Sequence, residues 1–228
     1  FQSPYLYKEN GFKEKKHAEE LIKALQKKEP LTAVLIKLEK KKETKNPPLL
    51  YNLAELQNDC SRFFKISPDE TLRIVQELYE KKLVTYPRTD ARVLSAAVAK
   101  EIDKNINGLR NYAPVQTYAA EILTQAAHKN IGKTRYVNDK QITDHYAIIP
   151  TGQGFHAMKG LPPLAVKIYE RIARRFLSIF YPAAVYQRYM LELEADKEHF
   201  FASFRVLKEQ GYFKVADVPQ SGKRTADP

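Results

Sequence analysis

Apolar residues recur at helical spacing in some stretches of the chain and alternate with polar residues in others. Helical spacing predicts amphipathic helices, here at residues 14–28, 53–64, 68–82, 95–105, 114–129 and 165–180. Alternation predicts strands, here at residues 31–39, 186–195, 199–208 and 212–218. Strands are therefore expected towards both ends of the chain, and helices in its middle.

Polar residues support three of the predicted helix starts. Asn52 can cap the second helix, with Glu55 at the reciprocal capping position. Ser67 precedes a proline and two acids, a strong start signal for the third helix. Ser95 is the expected cap of the fourth. The charged run at residues 40–45 is expected to be a solvated hairpin or linker.

Two proline pairs divide the chain, because proline resists both helix interiors and central strands. Pro47-Pro48 and Pro162-Pro163 predict the limits of a helical domain at residues 49–160. The simplest topology inserts this domain into a strand-rich domain made from both ends of the chain. The strand-rich domain comprises residues 1–48 and 161–218, and a flexible tail follows at 219–228.

Two short helices, a tight turn and an extended segment give the helical insert a winged-helix outline, which proteins often use to bind duplex DNA. The predicted fold class is therefore α+β, with a mostly helical, winged-helix-like domain inserted into a strand-rich domain.

Composition adds a preference for a polyanionic partner. The 38 Lys and Arg against 27 Asp and Glu give a net charge of +11, which suits nucleic acid, although solubility alone would also explain it. No apolar run has the length of a membrane span and no signal peptide is evident, so no membrane is expected. The single cysteine, Cys60, excludes an intrachain disulfide framework and fits a reducing cytoplasm. It is expected to be a core residue.

The strongest candidate for chemistry is the extended stretch at residues 83–92. Tyr86 precedes a proline, which favours extended backbone, and Arg88 follows two residues later. In an extended segment such residues point to the same face, so a guanidinium could hold a phosphate where the phenol reaches its phosphorus. A second polar cluster at residues 143–152 contains His145 before an apolar run.

These motifs resemble the type IA DNA topoisomerases. Tyr86-Pro87-Arg88-Thr89-Asp90 is similar to the block that carries the DNA-cleaving tyrosine in that family. The segment 145–151 is similar to its downstream histidine block, and Pro47-Pro48 with residues 53–57 to its entry into the tyrosine-bearing domain. The Pro after Tyr86, and Ile149, resemble the topoisomerase III branch.

The resemblance implies an isomerase that cleaves and religates single-stranded DNA through a 5′-phosphotyrosine, for strand passage, relaxation or decatenation. The strand-rich ends would be the arch, or gate, domain. The family's Toprim domain, which binds Mg²⁺, has no counterpart here, nor has a groove-framing domain, and the first residue is not Met. We therefore interpret the chain as a fragment that is inactive alone, contains no metal site, and comes from a cytoplasmic, nucleoid-associated enzyme. No Gly-rich phosphate loop is found, so no ATP is expected.

The resemblance also assigns residue roles. Tyr86 would be the nucleophile, Arg88 would bind the scissile phosphate, and His145 would donate a hydrogen bond near that phosphate. Residues expected to bind DNA or orient the site are Thr85, Thr89, Asp90, Arg92 and Gln76. The two threonines could instead only favour extended backbone. Asp90 could equally cap the helix near Ser95 or pair with Arg92.

Two other readings remain open. The chain could be a non-enzymatic winged-helix DNA-binding module in which Tyr86 and Arg88 only contact phosphates. Charge alone would also permit a structural ribonucleoprotein module.

Overall fold

The computed structural model describes residues 6–7, 11–27 and 32–216. The chain forms two compact units. The first contains the described parts of residues 1–45 together with 185–209, and the second contains residues 46–184 and the described residues from 210 onwards. The tail predicted at 219–228 lies outside the described residues.

The first unit contains the strands and one helix. Strand β1 (Leu6–Tyr7) pairs antiparallel with β2 (Gly11–Phe12), and helix α1 (Lys15–Gln26) follows, as predicted. Strands β3 (Val34–Lys45), β4 (Ala184–Ala195) and β5 (Glu198–Glu209) form a sheet in the order β3-β4-β5. Strands β4 and β5 are antiparallel and confirm the two strands predicted there.

The hairpin or linker predicted at residues 40–45 is wrong, because β3 continues through this charged run to Lys45. Cross-strand ion pairs explain how so charged a segment stays in the sheet. Glu43 lies 3.2 Å from the guanidinium of Arg188 on β4 and 3.9 Å from that of Arg205 on β5. Opposite charges on one sheet face stabilise strand pairing.

The second unit is helical, as predicted for the middle of the chain. Its α-helices are α2 (Leu53–Phe64), α3 (Pro68–Glu80), α4 (Ala96–Lys100), α5 (Ile102–Leu109), α6 (Gln116–Thr124), α7 (Pro163–Ser178) and α8 (Phe213–Ala216). Short 3₁₀ turns lie at Ala113–Val115, Ala127–Lys133, Asp139–Gln141 and Phe155–Gly160. None of the described helices is both long and apolar enough to span a bilayer.

The three predicted caps are confirmed. The side chains of Asn52, Ser67 and Ser95 accept hydrogen bonds from backbone amides three residues further on, at 2.9, 3.1 and 3.1 Å. The helix predicted from Ser95 is nevertheless two helices, because Glu101 leaves the helical region with φ −112° and ψ 10°. The helix predicted at 114–129 is shorter, ending at Thr124 before a 3₁₀ turn.

The strand predicted at 212–218 is wrong, since residues 213–216 form α8. Gly211 takes a φ of 51°, a left-handed conformation that reverses the chain and that glycine adopts without strain. The amide of Tyr212 then donates to the carbonyl of Pro182 at 2.9 Å, and Val215 is fully buried. Docking on the helical unit therefore overrides the alternating pattern.

Helix α7 also changes the division of the chain. Its apolar face, which includes Ile168, Ile172 and Phe176, is buried in the core of the second unit. Residues 163–184 therefore pack with the helices, whereas the sequence placed everything after 160 with the strands. Pro163 is the first residue of α7 and does not mark a crossing between units.

Cys60 is a core residue, as predicted. The residue is fully buried on α2, and burial raises the pKa of its thiol to about 11. A protonated, inaccessible thiol is inert.

A glycine contact packs α5 against the chain that follows the histidine cluster. A Cβ added at Gly108 would lie 2.1 Å from the carbonyl oxygen of Gly152. Gly108→Ala is therefore expected to destabilise the fold by about 1–3 kcal/mol, because the backbone must move to admit the methyl group. The measurement is the free energy of unfolding in urea. Gly132→Ala, where no atom lies within 4 Å, is the matched control and should be nearly neutral.

Candidate active site

The stretch at 83–92 lies directly against the cluster at 143–152. The amide of Thr85 donates to the carbonyl of Ile149 at 3.0 Å. The Thr85 hydroxyl accepts from the Ile149 amide at 2.9 Å and donates to the carbonyl of Ala147 at 3.0 Å. One threonine thus fastens together two segments that are far apart in sequence.

Thr89 makes a second connection between these segments. Its hydroxyl donates to the carbonyl oxygen of His145 at 2.7 Å and accepts from the amide of Ala91 at 3.1 Å. Thr89 is only 7% exposed. Both threonine hydroxyls therefore bind backbone groups of the protein, and Thr89 fixes the backbone from which the imidazole projects.

The buried carboxylate of Asp59 stabilises the backbone that pairs with the histidine cluster at 143–152. Asp59 accepts a hydrogen bond from the hydroxyl of Tyr51 and another from Arg175 at 3.1 Å. Arg175 also donates to the carbonyl of Leu49 at 2.9 Å. The backbone carbonyl of Tyr51 in turn accepts from the amide of Ile148 at 2.8 Å. Asp59 thereby anchors the segment on which the histidine cluster is built.

Tyr86 lies at an open depression of about 340 Å³ in the second unit. Its ring centroid is 4.4 Å from that of His145, with the two planes tilted by 44°. On the other side, Tyr79 from the last turn of α3 makes an edge contact at 5.4 Å. The phenol is half-buried and the imidazole is exposed, so the ring is constrained from two sides while the site stays accessible.

Arg88 and Asp90 are both exposed. Among the residues that the structure describes, neither side chain has a hydrogen bond or an ion pair, and neither lines the depression. Asp90 neither pairs with Arg92 nor caps α4, whose cap is Ser95. Their charges are therefore free for a ligand.

Arg92 and Gln76 are engaged elsewhere. Arg92 donates to the carbonyl of Leu50 at 3.2 Å and lies 3.3 Å from the carboxylate of Glu55, so it ties the stretch to α2. Gln76 donates to Glu80 along α3 at 3.2 Å. Neither side chain lines the depression.

The depression contains residues to which the sequence assigned no role at the site. Tyr79, near the end of α3, is 38% exposed and packs against Tyr86. Lys82, Tyr146 and Thr151 also line the depression. The one sequence feature that connects Tyr79 with the site is its position in the last turn of α3, directly before the stretch at 83–92.

No magnesium site is evident in this part of the chain. Across residues 11–27 and 32–216, no three His, Cys, Asp or Glu side chains cluster as metal ligands. The donors present therefore do not fit the Mg²⁺ that the resemblance implies.

Burial raises the pKa of Tyr146, which keeps that phenol protonated.

The arrangement suits attack by a phenol on an anionic ester. A half-buried phenol beside an imidazole, with a free guanidinium two residues away, offers a nucleophile, a hydrogen-bonding group and a charge for a phosphate.

Comparison with known proteins supports the same family. Residues 3–227 match the family model described as DNA topoisomerase. DNA topoisomerase 3 from Bacillus subtilis is 36% identical over 208 residues, which are 91% of this chain and 28% of that protein. DNA topoisomerase 3 from Bacillus licheniformis is 37% identical over 186 residues, 81% of this chain and 25% of that protein. The chain thus spans about a quarter of the length of these relatives.

A solved structure shares the fold. Full-length topoisomerase I from Thermotoga maritima matches with a TM-score of 0.62 and 22% identity, over 98% of this chain and 35% of that one. The motifs around Tyr86 and His145 both lie within the residues that the family model matches. The chain therefore belongs to the type IA DNA topoisomerase family and is similar to its topoisomerase III members.

Proposed function

We propose that this chain is the part of a type IA DNA topoisomerase that cleaves and religates single-stranded DNA, with Tyr86 as the nucleophile. The observation that carries the proposal is the position of Tyr86, held at an open depression against His145. Hydrogen bonds from Thr85 and Thr89 join the two motifs there. The whole enzyme would use this reaction for strand passage, relaxation or decatenation.

The reaction exchanges one phosphodiester for another. The Tyr86 oxygen attacks a backbone phosphorus, the bond from phosphorus to the 3′ oxygen breaks, and the DNA 5′ end stays attached to the phenol. The phenol loses one proton and the departing 3′ oxygen gains one, so the exchange is balanced. Religation is the reverse attack by the 3′ hydroxyl, and ATP is not needed.

The neighbouring groups would assist this exchange. A free phenol has a pKa of about 10 and is a weak nucleophile near neutral pH. Arg88, exposed and unpaired among the described residues, would bind the scissile phosphate and stabilise its developing charge. His145 would donate a hydrogen bond to the same phosphate. Asp90 would orient the basic groups, and Thr85, Thr89 and Arg92 would hold the stretch in place.

The other parts of the reaction are assigned to the rest of the polypeptide. We place Mg²⁺ in a Toprim domain outside this chain, and no step described here passes through it. DNA and the missing Toprim and groove-framing domains are the expected partners. The chain alone should therefore bind DNA weakly without cleaving it, and the enzyme should act in the cytoplasm at the nucleoid.

The two units would divide the mechanical work. The sheet unit would be the arch, or gate, and α2, α3 and residues 83–92 would form a winged-helix-like unit that carries the tyrosine. Strand passage requires one part of the enzyme to move relative to another, and the chain crosses between the two units at residues 45/46, 184/185 and 209/210. We infer that any hinge lies at these crossings.

The proposal is tested with the full-length polypeptide, magnesium and single-stranded DNA labelled at either end. A 5′-phosphotyrosine retains label from the 3′ side of the break on the denatured protein and releases the 5′-labelled piece with a free 3′ hydroxyl. Retention of the 5′-labelled piece would contradict the proposed polarity. A protein that binds the strand but never becomes attached would instead be a non-enzymatic DNA-binding module.

Arg88→Ala is expected to slow cleavage by about 10²–10³-fold, the usual effect of losing one donor to developing charge. The side chain is exposed and unpaired within the described chain, so the free energy of unfolding should change by less than about 0.5 kcal/mol. Single-turnover cleavage and circular dichroism measure the two effects. Loss of the folded signal would show that Arg88 is structural.

A further inference from the structure

Lys82 is a cation at the depression that belongs to neither of the motifs around Tyr86 and His145. Lys82 lines the depression together with Tyr86 and His145, whereas Arg88 does not. Of the described residues that line it, Lys82 alone carries a permanent charge, and none is a carboxylate. Lys82 is therefore the one permanent charge among the described lining residues of the depression.

The ammonium of Lys82 is free to bind a ligand. The residue is exposed, and within residues 11–27 and 32–216 its ammonium has neither an ion pair nor a hydrogen bond. The adjacent Lys81 differs, because its ammonium lies 3.8 Å from the carboxylate of Glu77 on the preceding turn. An unpaired cation at a concave, largely aromatic surface attracts anions.

The backbone of Lys82 closes helix α3 in a left-handed conformation, as that of Lys65 closes α2. Its φ is 62°, a left-handed value that is disfavoured for any residue with a Cβ. Its amide donates to the carbonyl of Tyr79 at 2.8 Å, and its carbonyl accepts from the hydroxyl of Thr151. Gly154 packs closely against the same peptide. The amide of Leu83 also donates to the carbonyl of Leu78 at 2.9 Å, which completes a common helix cap and fixes where the lysine side chain starts.

We propose that Lys82 binds a backbone phosphate of the DNA strand that Tyr86 cleaves. The proposal rests on the proposed function of Tyr86 and adds a second cation to Arg88. Exposed rings beside a cation are the usual surface for a single strand, since bases stack on the rings and the cation binds the backbone. Tyr79 and His145 provide such rings next to Lys82.

The test measures binding without chemistry. The 228-residue chain carrying Tyr86→Phe is titrated against a labelled oligodeoxythymidine at several salt concentrations. Lys82→Gln should weaken binding and reduce the slope of log affinity against log salt by about 0.7, the value for one phosphate contact on a single strand. Lys82→Arg should restore both quantities. Lys81→Gln, which removes an equal charge outside the depression, should change them much less.

Lys82→Gly separates a structural role from a binding role. Glycine relaxes the left-handed backbone, so the midpoint of thermal unfolding should stay the same or rise while binding falls as far as with Lys82→Gln. The proposal is overturned if Lys82→Gln or Lys82→Gly binds like the parent, if Lys81→Gln weakens binding equally, or if the parent shows no salt-dependent binding.

The binding test of Lys82 and the adduct test of Tyr86 can fail separately. If the full-length protein with Tyr86→Phe still forms a covalent adduct, the proposed function fails whatever the Lys82 variants show. If that adduct is lost but Lys82→Gln and Lys82→Gly bind normally, only the phosphate contact is wrong.

Discussion

Tyr86→Phe in the full-length polypeptide is expected to abolish the covalent adduct with single-stranded DNA. The substitution removes the one oxygen that can form the ester and leaves the ring between Tyr79 and His145. The Tyr86 hydroxyl has no hydrogen-bond partner in the described part of the chain, so the unfolding transition should not move. Adduct is measured on denaturing gels with labelled DNA.

Binding of the uncleaved strand should survive the same substitution. A lost hydroxyl is worth about 1 kcal/mol, so affinity should fall by no more than about fivefold. Tyr118→Phe, on α6 and outside the depression, is the control and should form adduct normally. Undiminished adduct with Tyr86→Phe would remove Tyr86 from the reaction.

Asp59→Ala is expected to destabilise the second unit by about 3–5 kcal/mol, because it leaves buried positive charge without its partner. Asp59 is 6% exposed. Besides Arg175, its carboxylate lies 2.6 Å from Arg62 and 3.8 Å from Arg171. The free energy of unfolding from urea titration measures the loss. Because Tyr51 connects Asp59 to the histidine cluster, cleavage by any folded remainder should also fall.

The control for Asp59 is an ion pair on the surface. Glu101 lies 3.0 Å from Lys104, and both side chains are about two-thirds exposed or more. Glu101→Ala should cost about 0–1 kcal/mol. If Asp59→Ala costs no more than Glu101→Ala, the buried carboxylate is not an anchor of the site.

Local signals made much of the fold predictable. Asn52, Ser67 and Ser95 cap helices through amides three residues away, so all the relevant atoms lie within one turn of sequence. The elements that were mispredicted depend on distant contacts. The run at 40–45 stays in a strand because Glu43 meets arginines from β4 and β5. Residues 213–216 form a helix where the amide of Tyr212 donates to the carbonyl of Pro182, thirty residues earlier.

The candidate site was only partly predictable for the same reason. The order Tyr86, Arg88 and His145 indicated the chemistry, but not the hydrogen bonds of Thr85 and Thr89 that join the two motifs. Nor does a sequence pattern show that the ring of Tyr79 on α3 packs against Tyr86. The cation inside the depression is Lys82, which the motif does not contain, whereas Arg88 projects to solvent.

Mapping the attachment residue shows directly which side chain attacks the DNA. The adduct is digested with nuclease and trypsin, and the peptides are sequenced by mass spectrometry. Trypsin should cut after Lys82 and Arg88 and release Leu-Val-Thr-Tyr-Pro-Arg, residues 83–88, which contains a single tyrosine. We expect this peptide to carry a nucleotide joined through its 5′ phosphate to Tyr86. A nucleotide on any other residue, or one joined through its 3′ phosphate, would contradict it.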